Sequence, residues 1–185
     1  MAFQRCSTSA GSAGIVNILY TDYITSSATK TITCNKGDLI LIGYGNTAPA
    51  VTNLTAVTQA YQMYSIAYQI LYQATATTVT IKNDDTFYSL VYTVVTRGGE
   101  PISYDVVNTV NGNNTISDVN ENEIFITHDY NTNVAVSSSD NKTSVIYSKQ
   151  STVGSFTNAA MRAKVTDSSA IINMNSYCRK LFRMY

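Results

Sequence analysis

From Gly14 onward the chain is a succession of short runs rich in Thr, Val, Ile and Tyr, recurring about every ten residues between polar turns. No convincing helix interrupts them. A chain of short strands has to pair them many times over, which points to an all-β fold, an antiparallel two-sheet sandwich or jelly roll. The 14 Tyr, the many β-branched residues and the scarcity of Pro, only 2, suit pleated and half-buried surfaces.

Residues 1–14, rich in Ser, Ala and Gly and without periodicity, read as an arm that is flexible or ordered by a partner. Residues 15–185 read as a single β-sandwich domain, since no linker divides them. Ile15 to Tyr20 has strand composition, and Tyr23 to Cys34 continues with Thr-Ile-Thr alternation. The turn Asn35-Lys36-Gly37-Asp38 and the return Leu39-Ile40-Leu41-Ile42 suggest a hairpin. That return is apolar on both faces, which marks a strand covered on both sides, either central in its sheet or at an oligomer interface.

Residues 58–73 fit two periods: Tyr61, Tyr64, Tyr68, Leu71 and Tyr72 sit at helical spacing, while Tyr64, Ile66, Tyr68, Ile70 and Tyr72 alternate strictly. The alternation and the Tyr and Ile content favour strand over helix. Thr77 to Ile81, the turn Lys82-Asn83-Asp84-Asp85 and the return Phe87 to Val95 suggest a second hairpin. The pattern breaks at Arg97 to Pro101, resumes over Ile102 to Val110, and turns again at Asn111-Gly112-Asn113-Asn114. Short β-like runs follow at 123–127, 133–137, 143–148 and 163–165. A terminal strand would place Ile172, Met174, Cys178, Phe182 and Met184 on one face. Residues 31–42 and 78–91 share a Thr-rich strand, a polar turn and an apolar return, a likeness any two hairpins would show, so it is not taken as a repeat.

Charged residues are 13% of the chain and the net charge is zero, so the electrostatic footprint of nucleic-acid binding is missing and no nucleic-acid partner is expected. Ser, Thr and Asn, about a third of the residues, supply the polarity, and no stretch reads as a membrane span. The start, Met-Ala-Phe-Gln-Arg-Cys-Ser-Thr, lacks the apolar run of a secretory signal, so synthesis in the cytoplasm is expected. Cys6, Cys34 and Cys178 are too few and too widely spaced for a disulfide framework or a zinc site, and read as reduced structural thiols.

His128, the only histidine, has Asp129 beside it to orient its ring, but no nucleophile elbow accompanies the pair, and the polar surroundings suggest a surface residue. Asp118-Val119-Asn120-Glu121-Asn122-Glu123 alternates oxygen ligands as a calcium loop does, yet the glycine such a loop needs is replaced by Glu123. The carboxylates Asp84 with Asp85, and Glu121 with Glu123, are adjacent acids of the kind usually solvated at a turn. No catalytic, cofactor-binding or metal-binding residue is therefore assigned, and no cofactor is expected. Asn53, Asn113 and Asn141 open glycosylation-like triplets that an Asn/Thr-rich chain produces by coincidence. The basic and aromatic terminal segment 177–185 reads as a docking strand or as an edge strand defended by its cations.

Three features resemble the small β-sandwich proteins of bacteriophage virions: head fibres, decoration proteins and tail-fibre tips. They are the Gly/Ser-rich arm, the segment Cys34 to Ile42, and Thr77 to Ile81 with its return over Phe87 to Arg97. The resemblance implies a non-enzymatic virion protein, made in the host cytoplasm without a signal peptide. Its partners would be copies of itself, as a trimer, other virion proteins and a host surface glycan, with no membrane. The alternative is a carbohydrate-binding or adhesin-like β-sandwich module of a bacterial surface protein, stacking Tyr rings on sugars.

Overall fold

The computed structural model describes residues 14–130, 135–150, 156–175 and 179–185, and among these the regular structure is strand without helix. The first half supplies β1 (Asn17–Ile24), β2 (Thr29–Thr33), β3 (Leu39–Tyr44), β4 (Ala50–Thr52), β5 (Leu54–Ala56), β6 (Tyr61–Tyr64), β7 (Ala67–Ala74), β8 (Thr78–Lys82) and β9 (Leu90–Thr96). They form an inner sheet ordered β1-β9-β3-β7-β5, with β6 also on β7, and an outer sheet ordered β2-β8-β4. The second half supplies β10 (Tyr104–Asn108), β11 (Gly112–Val119), β12 (Ile124–Tyr130), β13 (Ala135–Ser138), β14 (Thr143–Gln150), β15 (Phe156–Ala163), β16 (Asp167–Asn175) and β17 (Lys180–Met184). Its inner sheet is ordered β10-β17-β12-β15-β14 and its outer sheet β11-β16-β13.

Both halves pair their strands in the same way, and always antiparallel. The first strand joins the last, the second the last but one, and the third the last but two: β1 with β9, β2 with β8, β3 with β7, and likewise β10 with β17, β11 with β16, β12 with β15. This is one long hairpin rolled into two sheets, the winding of a jelly roll. The expected antiparallel β-sandwich is present, and it occurs twice, with the two inner sheets packed face to face in a four-layer stack.

Burial follows from position in the stack. Outer strands have one wet face, so Ile32, Val79 and Ile81 are buried while Thr29, Thr31, Thr33 and Thr78 are exposed. Inner strands have none: in β3, Ile40 and Ile42 meet Ile32, Val79 and Ile81 of the outer sheet, while Leu39 and Leu41 meet Ile124, Ile126, Phe182 and Met184 of the second sandwich. The two-sided apolar run is therefore a central strand, covered within its own chain. The second sandwich closes its own core with Phe125, Met161 and Leu181 against Ile116, Ala170, Ile172 and Met174.

Several expected elements resolve differently. Neither expected hairpin pairs with itself, because β2 and β8 lie in the outer sheet while β3 and β9 lie in the inner one. Each turn is a crossing between layers, which explains why a Thr-rich strand precedes an apolar one in both. Residues 58–73 do form strand, but as the hairpin β6–β7, broken at Ser65 and Ile66. The run 172–184 is split between β16 in the outer sheet and β17 in the inner, and Tyr177 and Cys178 lie outside the described residues, as do Cys6 and most of the arm. Strand β17 sits between β10 and β12, so it is not an edge. Asn113 and Asn114 belong to β11 rather than to a turn, and β15 starts at Phe156, well before the expected 163–165.

The segments that correspond are also not the pair compared in the sequence. Gly37 N donates to Ala74 O at 2.8 Å and Ala74 N to Asp38 O at 2.9 Å; Asn122 N donates to Ala163 O at 3.0 Å and Ala163 N to Glu123 O at 2.9 Å. Gly37 and Asn122 both have positive φ, 96° and 72°, the left-handed conformation that Gly and Asn tolerate best. Asn35 to Ile42 and Asn120 to Thr127 are thus the same turn and central strand in the two sandwiches.

Candidate functional site

The residues that looked chemical in the sequence are occupied in holding the fold. His128 is fully buried where the inner sheets meet, a correction to the surface position expected of it. Its Nε2 lies 2.9 Å from Thr93 Oγ1, and burial pushes its pKa down to about 3. Asp129 does not orient the ring, because successive residues of a strand face opposite ways; its Oδ1 accepts from Tyr130 N at 2.7 Å. The charge of a neutral buried imidazole is withheld, not used.

The calcium-like loop is organised around a guanidinium. Glu123 is buried and takes both Arg183 Nε and Nη2 at 2.8 Å, while Arg183 Nη1 donates to Ser117 O at 3.1 Å and Nη2 also reaches Asp118 O. Among the described residues no group of three or more His, Cys, Asp and Glu is placed to hold a metal ion. The carboxylate pair at the second crossing is split: Asp84 takes Lys82 Nζ at 2.5 Å, and Asp85 is buried rather than solvated. The glycosylation-like asparagines are also bonded, Asn53 to Thr78 O, Asn113 to Ser139 and Asn173, and Asn141 to Lys164. Cys34 is a buried free thiol whose pKa is pushed up to about 11 by burial and by Asp38.

The loop between β8 and β9, expected as a solvated hairpin turn, is built from inward-facing side chains. Asn83 is buried, and its Nδ2 lies within 3.2 Å of the carbonyls of Ile24, Thr25 and Tyr88. Asp85 Oδ1 accepts from Phe87 N at 2.8 Å and Tyr88 N at 3.0 Å. Two buried polar side chains therefore fix the backbone on either side of Phe87, whose ring is 85% exposed. A Phe held out in water by such a loop forgoes most of the ~2–3 kcal/mol its burial would give. Tyr88, the chain neighbour of Phe87, belongs to a cluster of rings. Tyr88 packs edge-on against Tyr130 at 5.7 Å, Tyr130 stacks with Tyr64 at 6.1 Å and 22°, and Tyr64 is 45% exposed. Phe156 supports Tyr130 from the interior side at 5.2 Å. Gly45 lets Tyr88 approach: a Cβ there would stand 2.8 Å from its ring. The aromatic end draws on both sandwiches, Tyr64, Phe87 and Tyr88 from the first and Tyr130 and Phe156 from the second.

The pinning residues were legible only as a polar turn, since nothing in Lys82-Asn83-Asp84-Asp85 says which side chains face inward. Among the described residues no helix is long and apolar enough to cross a membrane. No family model, curated protein or solved structure matches the chain.

Proposed function

We propose that this chain is a non-enzymatic structural component of a bacteriophage virion, a capsid decoration, head-fibre or tail-fibre module that assembles with itself as a trimer and with other virion proteins. The observation that carries this reading is Phe87, an apolar ring presented rigidly at the aromatic end of a doubly buried scaffold. Rigid aromatic anchors are the kind of residue that dominates protein interfaces, because little conformational freedom is lost on docking. Jelly-roll windings recur in viral capsid and lectin domains, in line with the proposal. The commitment of His128, Asp85 and Glu123 to internal contacts also favours a structural role.

Light scattering coupled to size exclusion tests it. The expected result is a trimer that Phe87→Ser weakens at least tenfold, with thermal stability nearly unchanged because the residue buries little in the monomer. A monomer at working concentration, unaffected by that substitution, would overturn self-assembly through this end. It would turn attention to the second reading, a carbohydrate-binding module, which the exposed Tyr64 and Phe87 rings also favour. Retention on a glycan array, lost in Tyr64→Ala, is the result expected of that alternative.

A further inference from the structure

The seam between the sandwiches carries Thr21, Gln69, Thr93, His128, Tyr147 and Asn158 among its aliphatic residues. Thr93 Oγ1 is shared between His128 Nε2 at 2.9 Å, Thr21 Oγ1 at 2.9 Å and the Tyr147 hydroxyl at 3.2 Å. His128 Nδ1 is buried with no hydrogen-bond partner. It lies against Gly43, where a Cβ would stand 3.2 Å from Nδ1 and 3.0 Å from Val91. Gly43 and His128 are the corresponding residues of the two central strands, so the two sandwiches meet at unlike residues, one without a side chain and one with the only imidazole.

Nothing described around this imidazole would welcome a second proton. β3 presents Gly43, β9 presents Val91 and Thr93, β7 presents Gln69, whose Oε1 accepts from His128 N at 3.2 Å, and β15 presents Asn158 beside it. The titratable groups of the neighbouring belt are the hydroxyls of Tyr147 on β14 and Tyr23 on β1, the latter accepting from Asn158 Nδ2 at 2.7 Å. Charged side chains on the seam-facing positions, Arg162 of β15 and Lys180 of β17, are cations; Arg162 Nη2 donates to Asn17 Oδ1 and Lys180 lies over the Tyr61 ring. Asp22 and Asp129 point away on their strands, Asp22 to Lys30. Protonation would bury a charge with no carboxylate on the described faces turned toward it, and would leave Nδ1–H a donor without an acceptor.

We propose that the seam is an acid-sensitive joint: protonation of His128 loosens the contact between the two sandwiches while each keeps its own core. The sign follows from linkage. Burial lowers the pKa in the closed state, so the closed state is fully favoured above the ordinary histidine pKa of about 6.5 and loses ground as pH falls below it. The loss is at most tenfold in the closing equilibrium per pH unit.

Because His128 is the sole histidine, its imidazole proton resonances report the site without assignment. In the full chain, the expected result is a resonance that does not titrate near pH 6.5. It shifts only at lower pH, together with increased binding of a hydrophobic dye and retention of the β-type circular dichroism. In His128→Gln, which cannot take the proton, dye binding should stay flat over that range. Titration near pH 6.5 without a change in dye binding would overturn the proposal, and so would loss of β structure together with protonation, since the sandwiches would then not survive the opening. Should His128→Gln fail to fold, the resonance and dye titration of the unaltered chain still decide.

Discussion

The two sandwiches share a strand-pairing pattern and hold it with different side chains. Entering its central strand, the first uses Asp38, which is buried and accepts from Asn35 N at 2.7 Å. The second uses Glu123, which accepts from the side-chain Nδ2 of the corresponding Asn120 at 2.9 Å and adds a bidentate pair with Arg183. Where the first has Gly43, the second has His128. Strand pairing and the left-handed residue at the turn thus define the unit, and the polar chemistry around them is interchangeable.

The largest expected effect breaks the comparison at the turn. Glu123→Ala or Arg183→Ala removes one partner of a buried pair and should destabilise the chain by about 3–5 kcal/mol. Asp38→Asn, which keeps an acceptor toward Asn35, should cost about 1–2 kcal/mol or less. Urea midpoints at neutral pH measure both, and equal losses would mean that the two turns are held alike. Next comes the seam: Gly43→Ala forces a methyl against Val91 and His128 and should cost about 1–3 kcal/mol by overpacking. A neutral result would mean that the sandwiches can shift apart to admit it. The smallest effect sharpens the comparison. Gly37→Ala and Asn122→Ala place alanine at positive φ in equivalent turns and should each cost about 1 kcal/mol, whereas Asn122→Gly should be close to neutral. Thermal unfolding of the three variants checks whether the two turns respond in parallel.

Much of the strand content was legible because alternation is local: Thr29 to Thr33 and Thr78 to Lys82 declare one wet face each, and Leu39 to Ile42 declares two dry ones. The aromatic end was legible only in its ingredients. Tyr64, the pair Phe87 and Tyr88, and Tyr130 come from three distant parts of the sequence, and what aims Phe87 outward is the inward turn of Asn83 and Asp85, which the run of polar turn residues around them does not announce. In the sequence Arg183 belongs to a basic segment, and its partner Glu123 lies in another part of the chain. His128 reads as exposed in the sequence because its neighbours are polar; those neighbours are buried too, Thr127 Oγ1 donating to Lys180 O and Asp129 Oδ1 accepting from Tyr130 N.

By itself the sequence determined that the chain is all-β, where most of its turns lie, and which strands could stand in the middle of a stack, since period-two burial and turn chemistry are properties of a few consecutive residues. Only the tertiary structure decided which sheet each strand joined, that the sandwich occurs twice, and that Gly43 and His128 face each other across the seam. Those outcomes depend on pairings between residues far apart in the chain. A strand's own pattern can say that a face is covered, but not by what.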